Sequence, residues 1–240
     1  MKTQYLYVMG AGSGAGKSTI CLGILVQLLA SGFTEDQLAY IKPVTKCTEK
    51  QPVALFCEQK NISYRDLGCL VFNKGFSKDY IDGLTPDSTE LMNQVLDSIH
   101  TVAQGKAVVI IDGIGDPASG SVVGISNVDV ASNLACRVIF IGKPGIGAAL
   151  DNTVLCVSFM LAKGLRDIGI IYNKIPFLAV TDIEKYVSKR LTELLPDVTL
   201  LGFIKNNEVL TNLPPEFTSF VLKKNSSPST LSLERNKNSA

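Results

Sequence analysis

The sequence predicts an α/β fold: a mostly parallel sheet with helices on both faces, in three layers. Short, continuously apolar runs alternate with longer helical ones, the pattern of strands buried on both sides. A glycine-rich turn sits between the first such run and the first helix. The composition agrees, with 46% hydrophobic and 19% charged residues and twenty glycines in 240 positions.

Taken in order, Leu6–Met9 reads as a strand and Lys17–Ala30 as a helix stopped by Ser31-Gly32. Leu38–Ile41 is a second strand, and Pro52–Lys60 a short helix. Thr85-Pro-Asp-Ser-Thr-Glu90 opens a helix with an Asp87/Glu90 capping box, running to Ala103. Ala107–Asp112 is wholly apolar until its final carboxylate. Arg137–Ile141, Ile168–Tyr172 and Thr199–Ile204 are further strands. Helices at 147–163 and 181–195 separate them, the second capped by Thr181 and Glu184. Residues 1–222 are read as one domain, and the Ser-, Asn- and Lys-rich stretch 223–240 as a disordered tail.

A net charge of +1 gives no reason to invoke nucleic acid. No apolar run is long enough to span a bilayer, and no targeting leader is legible. Six scattered cysteines without a Cys-x-x-Cys pair suit reduced thiols in a cytoplasmic protein.

Ligands of parallel sheets bind beyond the carboxyl ends of the strands. That rim gathers Gly10–Lys17, Lys42–Lys46, Asp112–Ser121 and Asn173–Pro176. Gly10-Ala-Gly-Ser-Gly-Ala-Gly-Lys-Ser-Thr19 is a phosphate-binding P-loop in its required context, after a strand and opening a helix. Its backbone N–H groups, from Gly12 through Ser13, Gly14, Ala15 and Gly16 to Thr19, would wrap phosphates at a helix N-terminus. Lys17 would reach the β- and γ-phosphates, and Ser18 would hold Mg²⁺. The fold is therefore expected to be a three-layer P-loop NTPase. A dinucleotide turn is set aside, because Gly12 and Gly14 would need glycine where Lys17 stands.

Asp112 ends the most apolar strand, where a carboxylate can bind Mg²⁺; the alternative is a turn or cap residue. Lys42 ends the second strand on the same rim. A second lysine there would neutralise charge developing during phosphoryl transfer; the alternative is an ordinary exposed strand end.

The first glycine lies six residues before Gly16, one more than usual. That spacing, together with Lys42-Pro-Val44, resembles dethiobiotin synthetase and its ATP-dependent relatives. These relatives include the synthetase-like domain of cobyrinate amidation enzymes and a domain of some phosphotransacetylases. Asp112-Gly-Ile-Gly115 is similar to that family's acidic-Gly-x-Gly turn, and the similarity covers most of residues 4–205. The resemblance implies a ligase: CO₂ or bicarbonate adds to a substrate amine, and the carbamate attacks the γ-phosphate of ATP. The anhydride then closes to a cyclic urea, releasing ADP and phosphate. It assigns Lys17 and Lys42 to the transferring phosphoryl group, Ser18 and Asp112 to Mg²⁺, and Asn173 to adenine. It places the small-molecule substrate near Ser13, Lys46, Gly113, Gly115 and Asp116, and it implies a homodimer completed near the helix after Gly147.

The departures are local. The family's further metal-binding aspartate falls in Glu49-Lys-Gln-Pro-Val-Ala54, where Pro52 is nearest. Lys46 replaces a small or hydroxylated residue, Asp116-Pro117 follows Gly115, and Lys205 replaces a proline near adenine. A partitioning-type ATPase would carry lysine where this chain has Gly12. Neither His100, on an amphipathic helix, nor Cys47 is expected to do chemistry. A phosphoryl-transfer enzyme with another small substrate, and a regulatory nucleotide binder, stay open beside the ligase.

Overall fold

The computed structural model describes residues 2–46, 49–206 and 220. The strands are β1 (Gln4–Gly10), β2 (Leu38–Ile41), β3 (Val44–Thr45), β4 (Ser63–Arg65), β5 (Leu70–Val71), β6 (Val108–Asp112), β7 (Arg137–Gly142), β8 (Ile168–Ile175) and β9 (Thr199–Lys205). The helices are α1 (Lys17–Ala30), α2 (Pro52–Lys60), α3 (Phe76–Ile81), α4 (Ser88–Ala103), α5 (Asn127–Leu134), α6 (Gly147–Ala162) and α7 (Val180–Leu194).

Seven strands form one parallel sheet in the order β4-β2-β6-β1-β7-β8-β9. β1 lies at its centre between β6 and β7, registering Val8 with both Asp112 and Ile139. This register brings the glycine-rich turn and Asp112 to the same rim. The two-residue strands β3 and β5 pair in a small separate sheet beside it.

Side chains alternate between the two faces, as the period of a strand requires. Leu6, Val8, Tyr40, Ile110 and Ile139 pack with α1 and α2. Tyr7, Met9, Ile41, Val109, Ile111 and Phe140 pack with α4, α5, α6 and α7. Both faces are covered, so the strands are apolar throughout rather than alternating in hydropathy.

Asp87 caps α4, accepting from the backbone N–H of Thr89 and Glu90 at 2.8 and 2.9 Å. The expected cap of α7 is different. A single 3₁₀ turn at Phe177–Ala179 runs straight into the helix, so Ala179 holds the cap position without a side-chain bond and Thr181 lies inside the first turn. β4, the β3/β5 pair, α3 and α5 lack sequence signals as strong as those of the main strands. α5 carries a reciprocal box all the same, Ser126 with Asp129. Cys47, residues 207–219 and the stretch 221–240 lie outside the described residues, and with them the expectation of a disordered tail. No helix among the described residues is long and apolar enough to cross a membrane.

Candidate nucleotide site

Gly12, Gly14 and Gly16 all take positive φ, at 119°, 76° and 96°, which side chains on L-residues resist. Their turn leads into α1, whose N-cap is Gly16 and whose first N–H groups receive no side-chain cap. Those donors and the helix dipole face the rim. Gly10 has a packing reason of its own: a Cβ there would lie 3.0 Å from Ala15 Cβ and 3.2 Å from Lys17 Cγ. The early glycine lets the turn fold back over the end of β1.

Lys17 is largely buried, and its ammonium donates to the carbonyl oxygens of Gly12 at 3.1 Å and Gly115 at 3.0 Å. Burial lowers its pKa, while Asp112 pulls it back up. Asp112 is fully buried. Its Oδ2 accepts from Ser18 Oγ at 2.6 Å, Tyr40 Oη at 3.0 Å and Lys42 Nζ at 3.2 Å. Burial, and then Asp112, push the Tyr40 hydroxyl well above its ordinary pKa, so it stays a neutral donor. Asp112 Oδ1 is buried and has no hydrogen-bond partner among the described residues.

That orphaned oxygen beside a serine hydroxyl fits a divalent cation. A buried carboxylate oxygen without a donor is costly unless something positive meets it. Among the described residues no group of three or more His, Cys, Asp or Glu forms a metal cluster. One carboxylate and one hydroxyl, completed by phosphate oxygens and water, is a usual donor set for Mg²⁺.

Ser13, Gly14, Gly16, Lys17, Ser18, Thr19, Lys42, Thr45, Lys46, Gln51, Gly113, Ile114 and Gly115 line a cleft of about 490 Å³. The substrate candidates Ser13, Lys46, Gly113 and Gly115 therefore share one space with the P-loop. Asp116 is not in that lining. Its carboxylate accepts from Ala118 N and Ser119 Oγ, both at 3.1 Å, and so closes its own turn.

Asn173 stands behind the P-loop. Its Nδ2 donates to Ala15 O at 2.9 Å and its Oδ1 accepts from Lys174 N at 2.8 Å, while Lys174 Nζ donates to Gly14 O at 2.8 Å. The end of β8 thus braces the turn. Lys143, after β7, fills the open side of Gly12: its Nζ lies 3.6 Å from where a Cβ would be.

Sequence reasoning missed Asn127. It is 3% exposed, and every polar atom of its side chain is engaged. Oδ1 accepts from Tyr7 Oη at 3.0 Å and Ile114 N at 3.2 Å; Nδ2 donates to Ile114 O at 2.5 Å and Asp116 O at 2.6 Å. In the structure the Ser126–Asp129 box starts α5 one residue before Asn127, and only the fold brings Asn127 under the loop after β6.

A parallel sheet with a glycine-rich strand-to-helix turn, a buried lysine and a serine–aspartate pair defines a P-loop NTPase. The chain matches the family described as "AAA domain" over residues 4–214, and it belongs to that family, which includes dethiobiotin synthetase-like P-loop ATPases. Solved structures with this fold include the MinD cell division protein of Aquifex aeolicus, at 13% identity and a TM-score of 0.53, covering 91% of this chain and 86% of that one. HypB from Helicobacter pylori, in complex with nickel, is similar at 14% identity and a TM-score of 0.50, covering 91% and 84%. The signal recognition particle 54 kDa protein of Aeropyrum pernix, in complex with GDP, matches at 13% identity and a TM-score of 0.53; this chain covers 46% of that protein's length with 92% of its own. At these identities the likeness is one of fold.

Proposed function

We propose that the chain is a Mg-ATP-dependent ligase of dethiobiotin synthetase type, which activates a small carbamate or carboxylate by phosphoryl transfer. The observation that carries this reading is Lys42 Nζ reaching across from the end of β2 to Asp112, at the floor of the P-loop cleft. A lysine serving only ground-state phosphate binding is already present in Lys17. A second, from the adjacent strand, suits charge that moves during a reaction.

In this reading Lys17 exchanges its two carbonyl partners for β- and γ-phosphate oxygens. Ser18 and Asp112 hold Mg²⁺, which when bound neutralises charge on those oxygens. Lys42 stays on the transferring group, and Asn173 offers adenine its remaining N–H while it braces the loop. The small-molecule acceptor enters beside Thr45, Lys46 and Gln51, and bicarbonate is a co-substrate if the acceptor is an amine.

A homodimer belongs to the same proposal. α6 exposes Leu155 at 70% and is preceded by Ile146 at 38%, close to small residues that permit near approach. The five described cysteines are free thiols, which supports a reducing, cytoplasmic setting.

The test is ADP release from Mg-ATP with bicarbonate and a panel of diamines and carboxylates. Acceptor-dependent release is expected. Tight nucleotide binding with no release for any acceptor would favour the second reading, a regulatory nucleotide-binding module, for which the absent aspartate near Pro52 already speaks.

A further inference from the structure

We infer that the acceptor is a small molecule carrying two anionic groups, a carboxylate that attacks and a second one held by Lys46, rather than a diamine. This rests on the phosphoryl-transfer reading of the cleft and narrows its substrate.

Charge is the first observation. The lining holds three lysines and, among its described residues, no Asp, Glu or His. Lys17 is engaged on the P-loop side and Lys42 is paired with Asp112. Lys46 lines the same cleft directly after β3, is exposed, and among the described residues makes no ion pair. Thr45 and Gln51 line the cleft beside it, and the Gln51 amide donates to the carbonyl of Glu49 at 3.2 Å. A protonated diamine would meet a like charge there, whereas a carboxylate would meet a complementary one.

Proton inventory is the second. An amine must lose a proton before it attacks CO₂ or phosphorus, and nothing in the described lining is placed to take one at neutral pH. Asp112 already accepts from Ser18, Tyr40 and Lys42 and lies beneath the lining. A carboxylate arrives deprotonated. Its oxygen forms a bond to the γ-phosphorus, the bond from that phosphorus to the β–γ bridging oxygen breaks, and ADP leaves with the electron pair. The product is an acyl phosphate, and no proton moves.

The test is a calorimetric titration of the full chain, saturated with a non-hydrolysable ATP analogue and Mg²⁺. Acetate, the straight-chain dicarboxylates of three to six carbons, and 1,4-diaminobutane are the probes. At least one dicarboxylate should bind, more tightly than acetate, and the diamine should not. Lys46→Ala should weaken that dicarboxylate about tenfold or more, Lys46→Glu further, and Lys46→Arg little, with affinity for the analogue kept within a few-fold. Preferential diamine binding, no dicarboxylate binding, or equal losses for dicarboxylate and analogue would each overturn the inference. Wild-type chain that fails to bind the analogue would instead sink the nucleotide reading beneath it.

Discussion

Lys17 Nζ lies 3.0 Å from the carbonyl oxygen of Gly115, 98 residues downstream. The lysine of the P-loop is therefore held by the loop that follows β6, and the two sides of the cleft are joined before any phosphate arrives. A phosphate must win this ammonium from two carbonyls. Lys17→Ala should abolish measurable nucleotide affinity in a calorimetric titration while the folded far-UV spectrum is kept. Equal binding by mutant and wild type would remove the P-loop assignment.

Lys42→Met separates catalysis from binding. Loss of a preorganised charge where charge develops typically lowers kcat by about 10²–10³. Nucleotide affinity should stay within a few-fold, because Lys17 and the backbone N–H groups are untouched. Unchanged kcat in acceptor-dependent ADP release would move the chain toward the regulatory reading.

Asp112→Asn leaves Lys42 in a mostly buried place without its counter-charge. Removing one member of a buried pair costs about 3 kcal/mol, so the midpoint of urea denaturation should fall. The Mg²⁺ dependence of nucleotide affinity should weaken as well. A variant that loses stability but keeps the full Mg²⁺ dependence would show that the carboxylate serves the core only.

Asn127→Asp is isosteric and turns two donors into acceptors facing the carbonyls of Ile114 and Asp116. The loop after β6 should shift, taking the Gly115 carbonyl from Lys17 and the cleft wall with it. We expect kcat to fall at least tenfold more than nucleotide affinity does. Tyr7→Phe, which removes only the bond to Asn127 Oδ1, should reproduce little of this. If the two variants show the same split, Asn127 has no positioning role beyond stability.

Asn173→Ala should weaken ATP more than inorganic triphosphate, measured by competition. The shared loss would report the brace on Ala15, and the excess would report the base. Equal losses for both ligands would make Asn173 a support of the P-loop alone.

The fold was largely legible because its strands are buried on both faces, so that Val108–Asp112 or Arg137–Gly142 stands out as continuous apolar sequence. The P-loop was legible for a different reason: positive φ and close approach restrict Gly12, Gly14 and Gly16 to glycine, and that restriction leaves a local mark. Short pieces such as Val44–Thr45 and Leu70–Val71 left none, since two residues hold no period.

The sequence by itself determined the sheet, the turn, and the residues on the rim: Lys17, Ser18, Lys42 and Asp112. Tertiary structure decided which of them meet. Val8 registers against Asp112 across 104 positions of chain, and only that parallel pairing sets Ser18, Tyr40 and Lys42 on one carboxylate oxygen and leaves the other bare. It also decided that Asp116 closes its own turn and that Asn127 holds the neighbouring loop. Hydrogen bonds between distant segments depend on register and burial, and neither leaves a spacing to read along the chain.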